Sequence, residues 1–179
     1  FTTLDPPVIS DVTITDIQLN TAYVNWTTNV SATCTLDYGA YSIEETSAGS
    51  GHIQKIDKLQ PASDYQAQIE CIDGDLNTFS SDQYSFSTPE EPVASEVTIE
   101  NKENVDLPTI TIAYKTNVPT STLVYYKKEG ESSRTYLNEE LVTEHSAEIS
   151  DLDPAVEYAV SVTGNDQYNI QAKPFEQKI

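Results

Sequence analysis

The stretch Leu59-Gln60-Pro61-Ala62-Ser63-Asp64-Tyr65 has the same spacing of leucine, proline and tyrosine as Leu152-Asp153-Pro154-Ala155-Val156-Glu157-Tyr158, 93 positions later. In a β-sandwich this spacing is typical of a tyrosine corner. The leucine ends one strand, the proline occupies the bend, and the tyrosine hydroxyl hydrogen-bonds back to the backbone of the bend. We therefore predict two β-sandwich units with one corner each.

Other stretches repeat in the same order. The proline-led residues 5–14 return as 91–99, and Thr28-Asn29-Val30 returns as Thr116-Asn117-Val118, while the offset grows from 85 to 88 and then to 93. β-Branched and aromatic residues alternate with polar ones, as they do in half-buried strands. We predict seven short strands per unit, with a turn at each Thr-Asn-Val. The polar connection that follows the third strand is longer in the second unit, at residues 127–144.

The repeat divides the chain into two domains, residues 1–89 and 90–179. Pro89 and Pro92 lie at the junction, where two prolines favour an extended, semi-rigid hinge. The sequence has no run of apolar residues long enough for a membrane-spanning helix. It also contains no methionine, so we expect a processed product or a fragment of a longer protein.

The net charge of −20 is divided evenly, with −10 in residues 1–89 and −10 in residues 90–179. A surface this acidic repels nucleic-acid backbones and anionic lipid headgroups. We therefore expect neither nucleic acid nor a membrane surface as a partner.

Both units resemble fibronectin type III domains. The resemblance rests on Trp26 in the second strand, on Leu36-Asp37-Tyr38-Gly39 in the third, and on the corner motif. Residues 71–77 are similar to a loop of bacterial members, including domains of secreted hydrolases. The resemblance implies tandem seven-stranded immunoglobulin-like sandwiches of bacterial or archaeal secreted or surface type. Tyr114 departs from the pattern at the position of Trp26, and the Arg-Gly-Asp integrin signature is not found.

Cys34 and Cys71 are the only cysteines. The register that would pair them also pairs other inward-facing residues, Leu36 with Ile69 and Tyr38 with Ala67. The second unit replaces both cysteines, with Thr122 and Gly164. This joint replacement favours a disulfide over two separate buried thiols, and a disulfide implies an oxidising compartment.

Two polar motifs each have two interpretations. Asp73, Asp75 and Asn77 have the oxygen spacing of a calcium loop, but Thr78 replaces the required glycine, so a polar turn is favoured over a calcium site. Asn25 and Asn29 belong to glycosylation sequons, which arise often by chance.

The sequence offers few candidate catalytic residues. His52 and His145 are far apart in sequence, with no further ligand implied, so they do not indicate a zinc site. No nucleophile elbow and no phosphate-binding glycine loop occur. We expect no enzymatic activity and no cofactor, with calcium as the alternative.

These features indicate a non-catalytic spacer or adhesion module of a larger secreted or cell-surface protein, with other protein domains as partners. One alternative is a subunit of an extracellular filament or surface layer that assembles through strand edges. Another is an accessory domain pair of a secreted hydrolase with carbohydrate as partner. Its candidate platform residues are Tyr23, Tyr41, Tyr125 and Tyr136.

Overall fold

The computed structural model describes residues 6–102 and 107–179, and in these ranges it contains strands and turns. The chain separates into two compact units, the first ending at Glu90 and the second beginning at Glu91. Residues 1–5, which open the predicted first domain, and residues 103–106 of the second lie outside the described residues. Within the described ranges, no helix has the length and apolar character needed to cross a membrane.

The first unit has seven strands: β1 (Ile9–Thr15), β2 (Ala22–Tyr38), β3 (Tyr41–Glu44), β4 (Gly49–Ile56), β5 (Asp64–Asp73), β6 (Thr78–Ser80) and β7 (Tyr84–Ser87). The first half of β2 pairs with β1 and β4, and its second half pairs with β3 and β5. Strands β6 and β7 both pair with β5. The sheet thus curls into two layers that share one long strand.

The second unit has five strands in its described part: β8 (Ala94–Asn101), β9 (Ile110–Lys128), β10 (Arg134–Ile149), β11 (Tyr158–Thr163) and β12 (Phe175–Lys178). Strand β9 pairs with β8, β10 and β11, and β11 also pairs with β12. Because β9 and β10 each contribute one segment to both layers, five continuous strands supply the seven segments. The predicted fold class, two tandem immunoglobulin-like sandwiches, is confirmed.

The predicted turn at Thr28-Asn29-Val30 was wrong. Strand β2 continues through this motif, and β9 continues through Thr116-Asn117-Val118. Every second side chain of β2 faces the core on both sides of this motif, since Trp26 before it and Cys34 after it are both buried. The chain therefore passes between the layers by curling, with a shift in its pairing to β4, and not through a loop.

The longer connection in the second unit is mostly strand, because β10 begins at Arg134. In the first unit Tyr38 pairs with Tyr41, so two residues form the hairpin tip. In the second unit Tyr126 pairs with Arg134, so seven residues form the equivalent tip. The five extra residues therefore lie at the tip of this hairpin, and the rest of residues 127–144 extends the sheet.

Each unit has its own apolar core. In the first, Trp26, Leu36 and Ile69 are fully or almost fully buried and pack in one cluster. In the second, Ile112 and Val124 occupy the equivalent centre, with Tyr114 at the position of Trp26. Burial of side chains of this size stabilises each unit by roughly 2 kcal/mol per residue.

Candidate functional site

The two histidines lie at equivalent positions inside the two cores. His52 is opposite Trp26 on neighbouring strands, and the rings stack with centroids 5.1 Å apart and planes 5° apart. His145 is opposite Tyr114, with centroids 4.2 Å apart and planes 7° apart. Both histidines are buried. Sequence reasoning considered them only as ligands of one shared metal and so missed that each belongs to its own core.

The threonine of each Thr-Asn-Val motif fixes the histidine of its unit. Thr28 Oγ1 lies 3.1 Å from His52 Nε2 and donates its proton to the Val30 carbonyl at 2.7 Å. With its proton on the Val30 carbonyl, the Thr28 hydroxyl can accept a hydrogen bond from Nε2–H of His52. Thr116 makes the same two contacts in the second unit. Its hydroxyl oxygen lies 2.9 Å from His145 Nε2 and 2.8 Å from the Val118 carbonyl oxygen.

The Nδ1 atoms of the two histidines face different partners. His52 Nδ1 lies 2.9 Å from a carboxylate oxygen of Glu45, whose side chain is only 10% exposed. The same carboxylate accepts a hydrogen bond from the Cys34 backbone N–H at 3.0 Å. A carboxylate and a bare Nδ1 both lack a proton, so one proton must be shared between them. The first unit thus contains a buried histidine–carboxylate pair.

The disulfide between Cys34 and Cys71 lies directly beside this pair. The cysteines are opposite each other on β2 and β5, in the register that also pairs Leu36 with Ile69. The ligand atoms of Cys34, Glu45 and His52 all lie within 4.8 Å of one another. We name the group Cys34, Cys71, Glu45 and His52 the first-unit cluster.

In the second unit both ring nitrogens of the histidine have hydroxyl partners, and no carboxylate is needed. Thr122, at the position of Cys34, lies 2.9 Å from His145 Nδ1 through its hydroxyl oxygen. Burial lowers the pKa of His145, because the charged imidazolium loses its hydration there. Gly164, at the position of Cys71, has its backbone against the neighbouring strand, and a Cβ on it would meet the Ser121 carbonyl oxygen at 1.8 Å.

Each predicted corner contains the expected tyrosine contact. The Tyr65 hydroxyl accepts a hydrogen bond from the Gln60 backbone N–H at 2.7 Å, and Tyr158 accepts one from Asp153 at 3.0 Å. The other corner residues of the two motifs are Leu59 and Pro61 in the first unit and Leu152 and Pro154 in the second. Both leucines are buried, so these six residues form the framework of the bends.

The asparagine of each Thr-Asn-Val motif ties down the chain that enters its unit. Asn29 accepts a hydrogen bond from Val8 N at 2.8 Å and donates one to Pro6 O at 3.0 Å. Asn117 makes the matching contacts to Val93 N at 2.7 Å and to Glu91 O at 3.1 Å. Glycosylation of Asn29 would have to be compatible with these two hydrogen bonds of its side chain. The Asn25 side chain donates a hydrogen bond to the Thr15 hydroxyl at 3.3 Å. Modification of either asparagine stays a prediction.

The proposed calcium residues form a hydrogen-bonded turn. Asp73 accepts hydrogen bonds from the backbone N–H groups of Asp75 and Asn77 at 2.9 Å, and from the Asn77 side chain at 2.8 Å. The Asn77 contacts lower the pKa of Asp73. Asp166 caps the equivalent turn of the second unit in the same way, through Tyr168 and Ile170. The Asp73 carboxylate thus already accepts hydrogen bonds from three N–H donors within the turn. Calcium binding stays a prediction.

The two prolines predicted as a hinge, Pro89 and Pro92, lie beside these anchoring contacts. The Pro89 carbonyl accepts a hydrogen bond from Ala62 in the first corner. Pro92 stands between Glu91 and Val93, and the Asn117 side chain hydrogen-bonds to the backbone of both.

On the outer face of the second unit, a groove of about 490 Å³ contains Tyr125. Of the four tyrosines predicted as carbohydrate platforms, Tyr41 and Tyr125 are the more exposed.

Comparisons with known proteins find similarity only among solved structures. No protein-family model matches the sequence, and no curated protein matches it. A crystal structure of the FN1–FN3 domains of chicken CNTN1 has a TM-score of 0.49 and 11% identity over 95% of this chain. This chain spans 65% of the CNTN1 chain. A two-domain fibronectin type III segment of chicken tenascin has a TM-score of 0.44 and 14% identity, covering 96% of this chain and 98% of that one.

Proposed function

We propose that the chain is a non-catalytic pair of sandwich domains that acts as a spacer or adhesion segment in a larger extracellular protein. The observation that carries the proposal is the use of both histidines inside the cores. His52 and His145 stack on aromatic rings and bond to buried threonines, where a substrate cannot reach them. The side chains best suited to proton transfer therefore serve the framework.

Two further observations support an extracellular setting. The Cys34–Cys71 disulfide fits an oxidising compartment, since cytosolic reductants keep most thiols reduced. A net charge of −20 favours solubility and repels other acidic surfaces. Partners are then other protein domains, of the same chain or of neighbouring proteins.

The test places the chain between two fluorophores and measures single-molecule energy transfer. A spacer is expected to hold its ends at a narrow distribution of distances, and the Pro89→Gly/Pro92→Gly double variant is expected to broaden it. Pro174→Gly, an exposed proline outside the junction, is the matched control. A broad distribution for the unaltered chain would refute a spacer role.

The filament alternative is favoured by one edge. Among the described strands, β10 pairs only with β9, and its first half exposes Leu137 and Leu141, at 53% and 44%. Exposed edges of this kind accept strands from other chains. Concentration-dependent assembly that Leu137→Lys prevents and Glu139→Lys retains would favour the filament. Monomers at high concentration, by light scattering and negative-stain imaging, would remove it.

The carbohydrate alternative is favoured by the groove on the second unit. Tyr125 lines it together with Lys127 and Gln177, and an exposed tyrosine ring can stack on a sugar. Glycan-array binding that Tyr125→Ala abolishes and Tyr41→Ala preserves would support this alternative. An array without hits would remove it.

A further inference from the structure

The first-unit cluster brings together four side chains that are zinc ligands in other chemical settings. The ligand atoms of Cys34, Glu45 and His52 lie within 4.8 Å of one another, and the Cys71 sulfur is bonded to that of Cys34. In tetrahedral zinc sites, Zn–S bonds of about 2.3 Å and Zn–N and Zn–O bonds of about 2.0 Å place ligand atoms roughly 3 to 4 Å apart. The cluster is therefore close to the size of such a site. We propose that reduction of the disulfide converts it into a four-coordinate Zn²⁺ site formed by Cys34, Cys71, His52 Nδ1 and Glu45.

The orientation of His52 supports this assignment. Thr28 is placed to accept Nε2–H, so loss of the proton between Nδ1 and Glu45 leaves the Nδ1 lone pair facing Glu45 and the sulfurs. Zinc-bound histidines commonly donate their other N–H to an oxygen, which fixes the ring and its tautomer. The threonine thus prepares His52 to bind through Nδ1.

Glu45 is placed to complete the site. One of its oxygens accepts the Cys34 backbone N–H, which holds the carboxylate beside the sulfur. Its side chain is 10% exposed, against 2% for the His52 side chain. Glu45 is therefore both the fourth ligand and the group through which the ion reaches the others.

The second unit provides an internal comparison. It retains the histidine and its threonine, but Thr122 and Gly164 stand at the cysteine positions, and the Thr122 hydroxyl covers His145 Nδ1. A chain with both units is thus expected to bind one zinc ion at this type of site, in the first unit.

The chemistry has two steps. A dithiol reductant donates two electrons and two protons to the Cys34–Cys71 bond, which gives two thiols, and the reductant becomes a disulfide. Zinc then binds the two thiolates, His52 Nδ1 and Glu45, and releases the two thiol protons together with the proton that Nδ1 and Glu45 shared. In a reducing compartment zinc would hold the two strands together, and in an oxidising one the disulfide would take its place.

The experiment uses the whole 179-residue chain. The chain is unfolded, reduced with a phosphine and refolded without oxygen, either with Zn²⁺ or with a chelator. The oxidised control is unfolded and refolded in the same way but without the phosphine. A phosphine accepts oxygen from water as it reduces the disulfide, and it competes weakly for zinc. We expect one zinc ion per reduced chain beyond the amount on the oxidised chain. Co²⁺ in its place should show thiolate-to-metal charge transfer and tetrahedral d–d absorption.

Variants separate the site from surface binding by carboxylates. His52→Gln and Glu45→Gln should each lower the zinc affinity of the reduced chain by about 100-fold or more, and Thr28→Val by about 10-fold, with rescue by Thr28→Ser. His145→Gln should leave the affinity unchanged.

If the reduced chain unfolds with chelator and zinc restores Trp26 fluorescence, zinc binding is coupled to folding as proposed. If the reduced chain stays folded, specific zinc uptake is still required. Equal zinc uptake by oxidised and reduced chains, or a reduced chain that zinc neither binds nor refolds, would overturn it.

Discussion

Removal of the disulfide should destabilise the first unit and leave the second unchanged. The bond joins residues 37 positions apart. On the chain-entropy model a closed loop of this length stabilises the folded state by about 4 kcal/mol. Domains of this size have roughly 5 to 13 kcal/mol of stability in total. The Cys34→Ala/Cys71→Ala variant should therefore lose a large part of the stability of the first unit.

The assay uses the single tryptophan of the chain, Trp26, which lies in the first core. Its fluorescence follows unfolding of the first unit in guanidinium, while circular dichroism follows both units. With an m-value of about 2 kcal/mol/M, a loss of 4 kcal/mol lowers the midpoint by about 2 M.

The internal control is the second unit, which has no disulfide. A fluorescence midpoint that moves by less than about 0.5 M would refute the reasoning, since the entropic contribution would then be largely missing. So would an equal shift of both transitions, because the change lies within one unit.

Three further predictions concern single positions. Tyr65→Phe and Tyr158→Phe should each cost about 1 kcal/mol, because a backbone N–H loses its acceptor, and denaturant melts of each variant will measure this. Burial lowers the pKa of His145, so the unfolded chain binds a proton below about pH 6.5 that the folded second unit excludes. Calorimetry should show its stability falling as the pH drops through this range, and His145→Gln should remove that slope. Gly164→Ala should cost about 3 kcal/mol or more, because its Cβ meets backbone. Gly51→Ala, where the added Cβ meets nothing within 4 Å, should be nearly neutral; similar losses for both would contradict the steric argument.

The parts of the fold that the sequence predicted well are local. A tyrosine corner needs residues only six positions apart, such as Leu59 and Tyr65, so its spacing is visible in the chain. The disulfide register was also accessible, because alternation on two strands restricts which residues can face Cys34. Both inferences need only the period of a strand.

The predicted turn at Thr-Asn-Val was wrong because side-chain hydrogen bonds allow the strand to continue through this motif. Thr-Asn-Val has the composition of a turn, yet Thr28 donates to a backbone carbonyl of its own strand and Asn29 accepts from a backbone N–H just before β1. These bonds satisfy the chain as it curls, so no separate turn is needed. Polar composition does not distinguish a residue that ends a strand from one that bends it.

The histidine clusters could not be predicted for a related reason. His52 meets Trp26 only through the cross-strand register of β2 and β4, and Glu45 reaches it from the segment between β3 and β4. A signal was present, however. The offset of 93 that relates the two corners also relates His52 and His145, so both histidines belong to the repeated framework.

The repeat also distinguishes framework from added chemistry at the first-unit cluster. The threonine and histidine occur in both units, so their contact serves the shared fold. The cysteines occur only in the first unit, and among the described residues the same is true of a carboxylate contact to the histidine. The difference cannot be reversed by Thr122→Cys and Gly164→Cys alone, because a Cβ at residue 164 would lie 1.8 Å from the Ser121 carbonyl oxygen. The second unit therefore has no room for a side chain at residue 164, whereas in the first unit Cys34 and Cys71 lie opposite each other with their Cα atoms 4.0 Å apart and their sulfurs bonded.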